Sequence, residues 1–184
     1  NLWTQLGQNI DTESGEGEGR LEVSLNSDGS IVAIGAGGNG GNGADAGHVR
    51  VYQYANNSWI QIGQDIDGEA EGDYFGTWIS LSSDGSVVGI TAPQNDGNGD
   101  RAGHVRIYKY SNNNWTQLGQ DFNETGTNSF CCQVSLSSDG KIVALGDYGD
   151  LERGRVSIFE YENNTWTQLG QNIDGEAVDD YSGT

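Results

Sequence analysis

Apolar and polar positions alternate along this chain in short runs, and the runs recur. VSLNSDGSIVAIGA, ISLSSDGSVVGITA and VSLSSDGKIVALGD are each followed by GHVRVYQY, GHVRIYKY or GRVSIFEY. Then come WIQIGQDID, WTQLGQDFN and WTQLGQNID, and a further WTQLGQNID stands at the start. Trp3, Trp59, Trp115 and Trp166 mark the repeat, at spacings of 56, 56 and 51. Each unit predicts four strands. The first alternates (Val23 and Leu25, Ile79 and Leu81, Val134 and Leu136) and ends in Asp28-Gly29, Asp84-Gly85 or Asp139-Gly140. Asp-Gly between apolar runs is a hairpin signal, because glycine accepts positive φ without steric cost. The second strand (IVAIGA, VVGITA, IVALGD) is nearly all apolar, as suits a strand covered on both faces. The third carries branched residues on one face and aromatics such as Tyr52, Tyr54, Tyr108 and Tyr110 on the other. An Asn-rich turn leads to a fourth strand that opens on the repeating tryptophan. No segment shows helical periodicity of useful length.

Tandem units of roughly 50–60 residues, each with one fully buried strand, predict an all-β fold built as propeller blades. One such sheet cannot bury both faces alone, so neighbours must stack on it. A β-solenoid is the competing architecture; its repeats are normally shorter and carry fewer tight hairpins. The expected division is 1–17, the fourth strand of a preceding blade and its loop; 18–72, 73–127 and 128–178, three complete blades; and 179–184, the start of a following blade. Closed propellers have about four or more blades. The segment is therefore expected to belong to a longer array, or to complete a ring with another chain.

Charge narrows the partners. The 184 residues hold 27 acidic and 8 basic side chains, a net charge of −19. Such a field repels nucleic-acid phosphates and anionic membranes. No apolar stretch has the length to span a bilayer. The chain has no methionine and starts at Asn1, so it is expected to be an excerpt or a processed product.

Phe75-Gly76, then Thr91-Ala92-Pro93, then a GxVxIY strand give the second unit a family likeness. It resembles the FG-GAP repeat, the blade of integrin alpha-subunit propellers and of many secreted microbial proteins. The first unit has Gly19-Arg20 and Gly35-Ala36-Gly37 at these places, and the third has Phe130-Cys131 and Gly146-Asp147-Tyr148. The resemblance implies an extracellular or cell-surface propeller that binds or builds structure. Integrin-type blades often hold calcium between their first two strands. Here that connection is only Ser-Asp-Gly, too short to supply the oxygens calcium wants. Asp28, Asp84 and Asp139 are instead expected to cap their own turns.

The other candidate chemistry lies in loops. Asp65, Asp67, Glu69 and Asp73 follow the second tryptophan strand with the oxygen density a hard cation needs, and calcium is the candidate. Turn chemistry and solvated charge are the competing account. The loops GGNGGNGADAG and QNDGNGDRAG could present amides to a glycan or protein, or serve as polar connections. Asn56, Asn114, Asn123 and Asn163 open glycosylation sequons. Cys131 and Cys132 are adjacent, which disfavours a mutual disulfide; they are expected to be buried thiols, with pairing outside this segment as the alternative. His48 and His104 share a repeat position and read as surface or inter-blade contacts, and Arg50 and Arg106 as partners of acidic groups. Because almost every polar group is repeated in register, no converging catalytic constellation is expected, and the chain is expected not to be an enzyme. The function expected is a structural or assembly unit working through contacts with other chains or further blades. The alternative is an adhesion or lectin-like propeller that binds a protein or glycan through its loops.

Overall fold

The Ser-Asp-Gly turns close as local chemistry demands. Asp28, Asp84 and Asp139 accept at Oδ1 from the backbone N–H two residues on, at 2.9, 2.9 and 3.1 Å. Gly29, Gly85 and Gly140 lie at φ of 72°, 72° and 68°. Bonds from Ser30 and Ser137 hold the Asp28 and Asp139 carboxyls below the usual carboxylate range. At Asp84, burial pulls the other way, and bonds from Ser86 and Ser82 outweigh it. The second turns use asparagine pairs, Asn56-Asn57, Asn112-Asn113 and Asn163-Asn164, all at positive φ.

The computed structural model describes residues 2–11, 21–97, 99–123, 131–147 and 154–177. The first sheet comprises β1 (Leu21–Leu25), β2 (Ile31–Ala36), β3 (His48–Ala55), β4 (Ser58–Gln61) and β5 (Ile66–Asp67). The second comprises β6 (Ile79–Leu81), β7 (Val87–Ala92), β8 (His104–Ser111), β9 (Asn114–Gln117) and β10 (Phe122–Asn123). The third comprises β11 (Cys131–Leu136), β12 (Ile142–Asp147), β13 (Arg155–Glu162), β14 (Thr165–Gln168) and β15 (Ile173–Asp174). All pairings between these strands are antiparallel, in chain order from first to fourth.

Two details depart from the expected blade. The fourth strand is broken: β4 and β5 both pair with β3, at Tyr52–Ala55 and at His48–Val49. Gly63, Gly119 and Gly170, at φ of 75°, 79° and 71°, turn the chain out of the sheet between the two pieces. Residues 2–11, within the stretch 1–17 expected to hold the fourth strand of a preceding blade and its loop, form no strand. A strand at this place exists by pairing with the third strand of its own sheet, and among the described residues no strand pairs with them.

The cores lie between sheets. Ala33, Val49, Val51 and Ile66 of the first sheet meet Ile79, Leu81, Val88 and Ile90 of the second. Val87, Val105 and Ile107 meet Val143, Leu145 and Trp166 of the third. The middle sheet has a neighbour on each face, and every residue of β7 is buried. First strands also join directly. Leu81 N donates to Ser24 Oγ and Leu136 N to Ser80 Oγ, both at 3.0 Å. The side chains of Cys131 and Cys132, and so their expected burial, lie outside the described residues.

Candidate functional site

The four carboxylates proposed for calcium do not converge. Asp65 is engaged on both oxygens: Arg50 Nε and Nη2 donate to Oδ2 at 3.0 and 2.9 Å, and Gln61 Nε2 donates to Oδ1 at 2.6 Å. Glu69 pairs with Arg106 at 2.8 Å. Asp73 is buried and accepts from Ala70 N and Asn95 Nδ2. Asp67 is exposed and sits opposite His48 in the ladder. Among the described residues, His48, Asp65 and Asp67 form the one cluster of three with ligating atoms within 4.8 Å of one another. That set does not fit calcium. It offers a nitrogen and few oxygens where six to eight oxygens are wanted, and a guanidinium already neutralises Asp65. The carboxylate spacing was legible in the chain; the partners that consume it come from β3, β8 and the loop after β7.

The arginines do find acidic partners. Arg106 grips Asp121 with Nε and Nη2, at 3.0 and 2.7 Å, while Nη1 reaches Glu69 of the preceding unit. The bond from Arg106 holds Asp121 below the usual carboxylate range, against the effect of burial. At Asp65 burial is the largest influence and would raise the pKa, but Arg50 and Gln61 together bring it down. In the third unit both members change together: Ser157 donates to Asn172 at 3.0 Å. The paired histidines are not surface groups. His48 is 4 % and His104 2 % exposed, and His104 Nε2 has no hydrogen-bond partner among the described residues. Burial, and then Arg106, lowers the His104 pKa.

The sequon residues Asn56, Asn114, Asn123 and Asn163 are all exposed. Asn56 and Asn163 occupy equivalent hairpin tips; Asn114 lies past its tip, as the first residue of β9.

The tryptophans form the largest repeated contact. Trp59 Nε1 donates to Leu6 O at 3.0 Å, Trp115 Nε1 to Ile62 O at 2.9 Å, and Trp166 Nε1 to Leu118 O at 2.7 Å. A glutamine of the preceding unit brackets each tryptophan backbone. Trp115 N donates to Gln64 Oε1 at 3.0 Å, and Gln64 Nε2 donates back to Trp115 O at 2.8 Å. Gln8 and Gln120 do the same for Trp59 and Trp166. The intervening glycine lets the indole lie on the chain: a Cβ on Gly63 would stand 2.6 Å from Trp115 Cδ1, and one on Gly119 2.5 Å from Trp166 Cδ1. The recurring Gln-(Leu/Ile)-Gly-Gln after each tryptophan was the available signal for this clasp.

Both halves of the clasp recur without a partner among the described residues. The Trp3 side chain is fully exposed, and nothing lies within 4 Å of a Cβ built on Gly170. Apolar side chains lie open beside them: Leu21, Val23 and Leu25 on the first sheet, and Ile142, Leu169 and Ile173 on the third.

No family model and no curated protein matches the chain. Solved structures do. One is a Bacteroides fragilis protein described as a candidate 6-phosphogluconolactonase, with TM-score 0.56, 20% identity, and coverage of 83% of this chain and 38% of that one. A Bacteroides uniformis protein of the same description gives 0.55 at 15% identity, covering 81% and 39%. The β-propeller domain of the Trilobed protease from Pyrococcus furiosus gives 0.52 at 11% identity, covering 84% and 42%. The chain thus spans about two fifths of these structures. The expectation that it is not an enzyme is corrected by the first two. In-register repetition of polar groups does not set this fold apart from enzymes, since chains that bear an enzyme's description superpose on most of it. Three four-stranded antiparallel units stacked face to face, with these likenesses, are the blades of a β-propeller.

Proposed function

We propose that this chain is a structural and assembly module of propeller blades, acting through protein-protein contacts made at its two outer blade faces. One observation carries the reading. The clasp that joins consecutive blades stands open at both ends, beside exposed apolar strand faces. Trp3 and the Gly170 turn are complementary halves of that clasp, so a further blade or a second copy that supplies the missing half engages either end. Head-to-tail contacts of this kind close rings or grow filaments. The likeness of Phe75-Gly76 to FG-GAP blades supports an extracellular or surface setting for the same role. Glycan binding through the loops has less support, because their amides are spent internally. Asn39 Oδ1 accepts from Gly41 N, Asn95 Oδ1 from Gly97 N, and Asn42 Nδ2 donates to Gly68 O.

Sedimentation velocity across a wide concentration range tests the proposal. Association that strengthens with concentration is expected, and Trp3→Ala should weaken it roughly tenfold or more, as loss of a central tryptophan does at interfaces. A chain that stays monomeric throughout, or a variant that associates as tightly as the parent, refutes it.

A further inference from the structure

Residues 3–11 and 166–174 have the same sequence, WTQLGQNID, and different surroundings. The second stretch is bound into a sheet. Thr165–Gln168 pairs with Phe159–Glu162 of β13, and Ile173–Asp174 with Arg155–Val156. Its Trp166 is buried and donates to Leu118 O. The first stretch already has the shape of the second. Gly7 and Gly170 lie at φ of 70° and 71°, and Gln5 Nε2 donates to Asn9 Oδ1 as Gln168 Nε2 does to Asn172 Oδ1. It also sits against the first blade as the end of one blade sits against the next. Leu6 O and Gln8 hold Trp59 in the way that Ile62 O and Gln64 hold Trp115. Yet among the described residues no strand pairs with residues 2–5, and the Trp3 side chain is fully exposed.

We propose, building on the assembly role, that a second copy of this chain supplies the missing strand partner by exchange: residues 2–11 of one copy replace β14 and β15 on β13 of the other. Suppose the third blade of one copy stacks on the first blade of another as consecutive blades stack within the chain. Its residues 165–174 and the other copy's residues 2–11 then fall on one place, the seat beside Trp59. Two segments of one sequence compete for that seat, and one must leave. When residues 165–174 leave, Trp59 stays clasped throughout, and Trp3 takes the Leu118 carbonyl that Trp166 gives up. The ladder lost from β13 is remade by the same nine residues, so the exchange itself is close to neutral, as in domain swapping. The net gain is apolar burial between the copies. Val23 and Leu25 meet Ile142 as Val134 and Leu136 meet Val87 inside the chain.

Cross-linking tests the exchange. Thr4 corresponds to Thr167, whose ladder partner is Glu160. In the full chain carrying both Thr4→Cys and Glu160→Cys, mild oxidation should join these two positions between copies. Peptide mapping of mixed isotope-labelled and unlabelled chains identifies the link, and neither single variant should form it. Trp166→Ala loosens only the segment that must leave, so it should tighten association roughly threefold or more in sedimentation velocity, opposite in sign to Trp3→Ala. Association without the link between copies overturns the exchange and leaves the assembly role standing. A link within one copy, or Trp166→Ala that weakens association or leaves it unchanged, overturns the exchange as well. A chain that stays monomeric at every concentration overturns both.

Discussion

Gly63 and Gly72 have nearly the same backbone, φ of 75° and 82°, and different surroundings. A Cβ on Gly72 would meet nothing within 4 Å; on Gly63 it would strike the Trp115 indole. Gly72→Ala is therefore expected to cost about 1 kcal/mol, the strain of positive φ alone. Gly63→Ala should cost roughly 2–4 kcal/mol, because the indole must also leave its seat. Urea unfolding midpoints of the two variants check this, and equal losses would refute the clasp geometry. The clasp was half legible in the chain. The recurrence of tryptophan, glycine and glutamine could be read, but not that Gln64 serves Trp115, 51 residues away. That pairing exists only once sheets stack. The candidate cation site was misread for the same reason: the carboxylates are visible at close spacing, while Arg50, Arg106 and Asn95, which engage Asp65, Glu69 and Asp73, arrive from elsewhere in the fold.

Hairpins were the most legible elements, because their determinants are local. Asp-Gly and Asn-Asn turns state their own φ values, and the all-apolar second strands announce burial on both faces. The split fourth strand was not legible, since its break serves the next blade rather than its own. The arginine links are likewise features of elements in contact. Arg106 joins β8 to the end of its own sheet through Asp121, and to the preceding unit through Glu69. Asp121 is 25 % exposed and gripped by two nitrogens, whereas Glu69 is 51 % exposed and held by one. A double-mutant cycle with Arg106→Met should give coupling of about 2 kcal/mol to Asp121→Asn. Coupling to Glu69→Gln should stay below about 1 kcal/mol, as for exposed pairs. The reverse order would mean that the inter-blade link, and not the intra-blade one, holds the arginine.

At the scale of the molecule, pH acts in two windows. Burial lowers the His104 pKa, so the unfolded chain takes up a proton before the folded one does. Its contribution is complete above the unfolded value of 6.5 and is lost as pH falls below it. Asp65 and Asp121 are also lowered, so their contribution is present above the unfolded value of 3.8 and is lost in acid below it. The melting temperature should therefore fall in two steps on acidification, and His104→Leu should remove the upper step alone. Calorimetry at a series of pH values measures both, and an unchanged upper step in the variant would refute the assignment to His104. The clasp has a last consequence, for descent. Every repeat carries both halves of the joint, a tryptophan toward the unit before and a Gln-Gly hook toward the unit after. Duplicating or deleting one whole repeat in a gene therefore yields a chain whose internal joints are all made at once. Blade number can change in a single genetic event, with no new interface to invent.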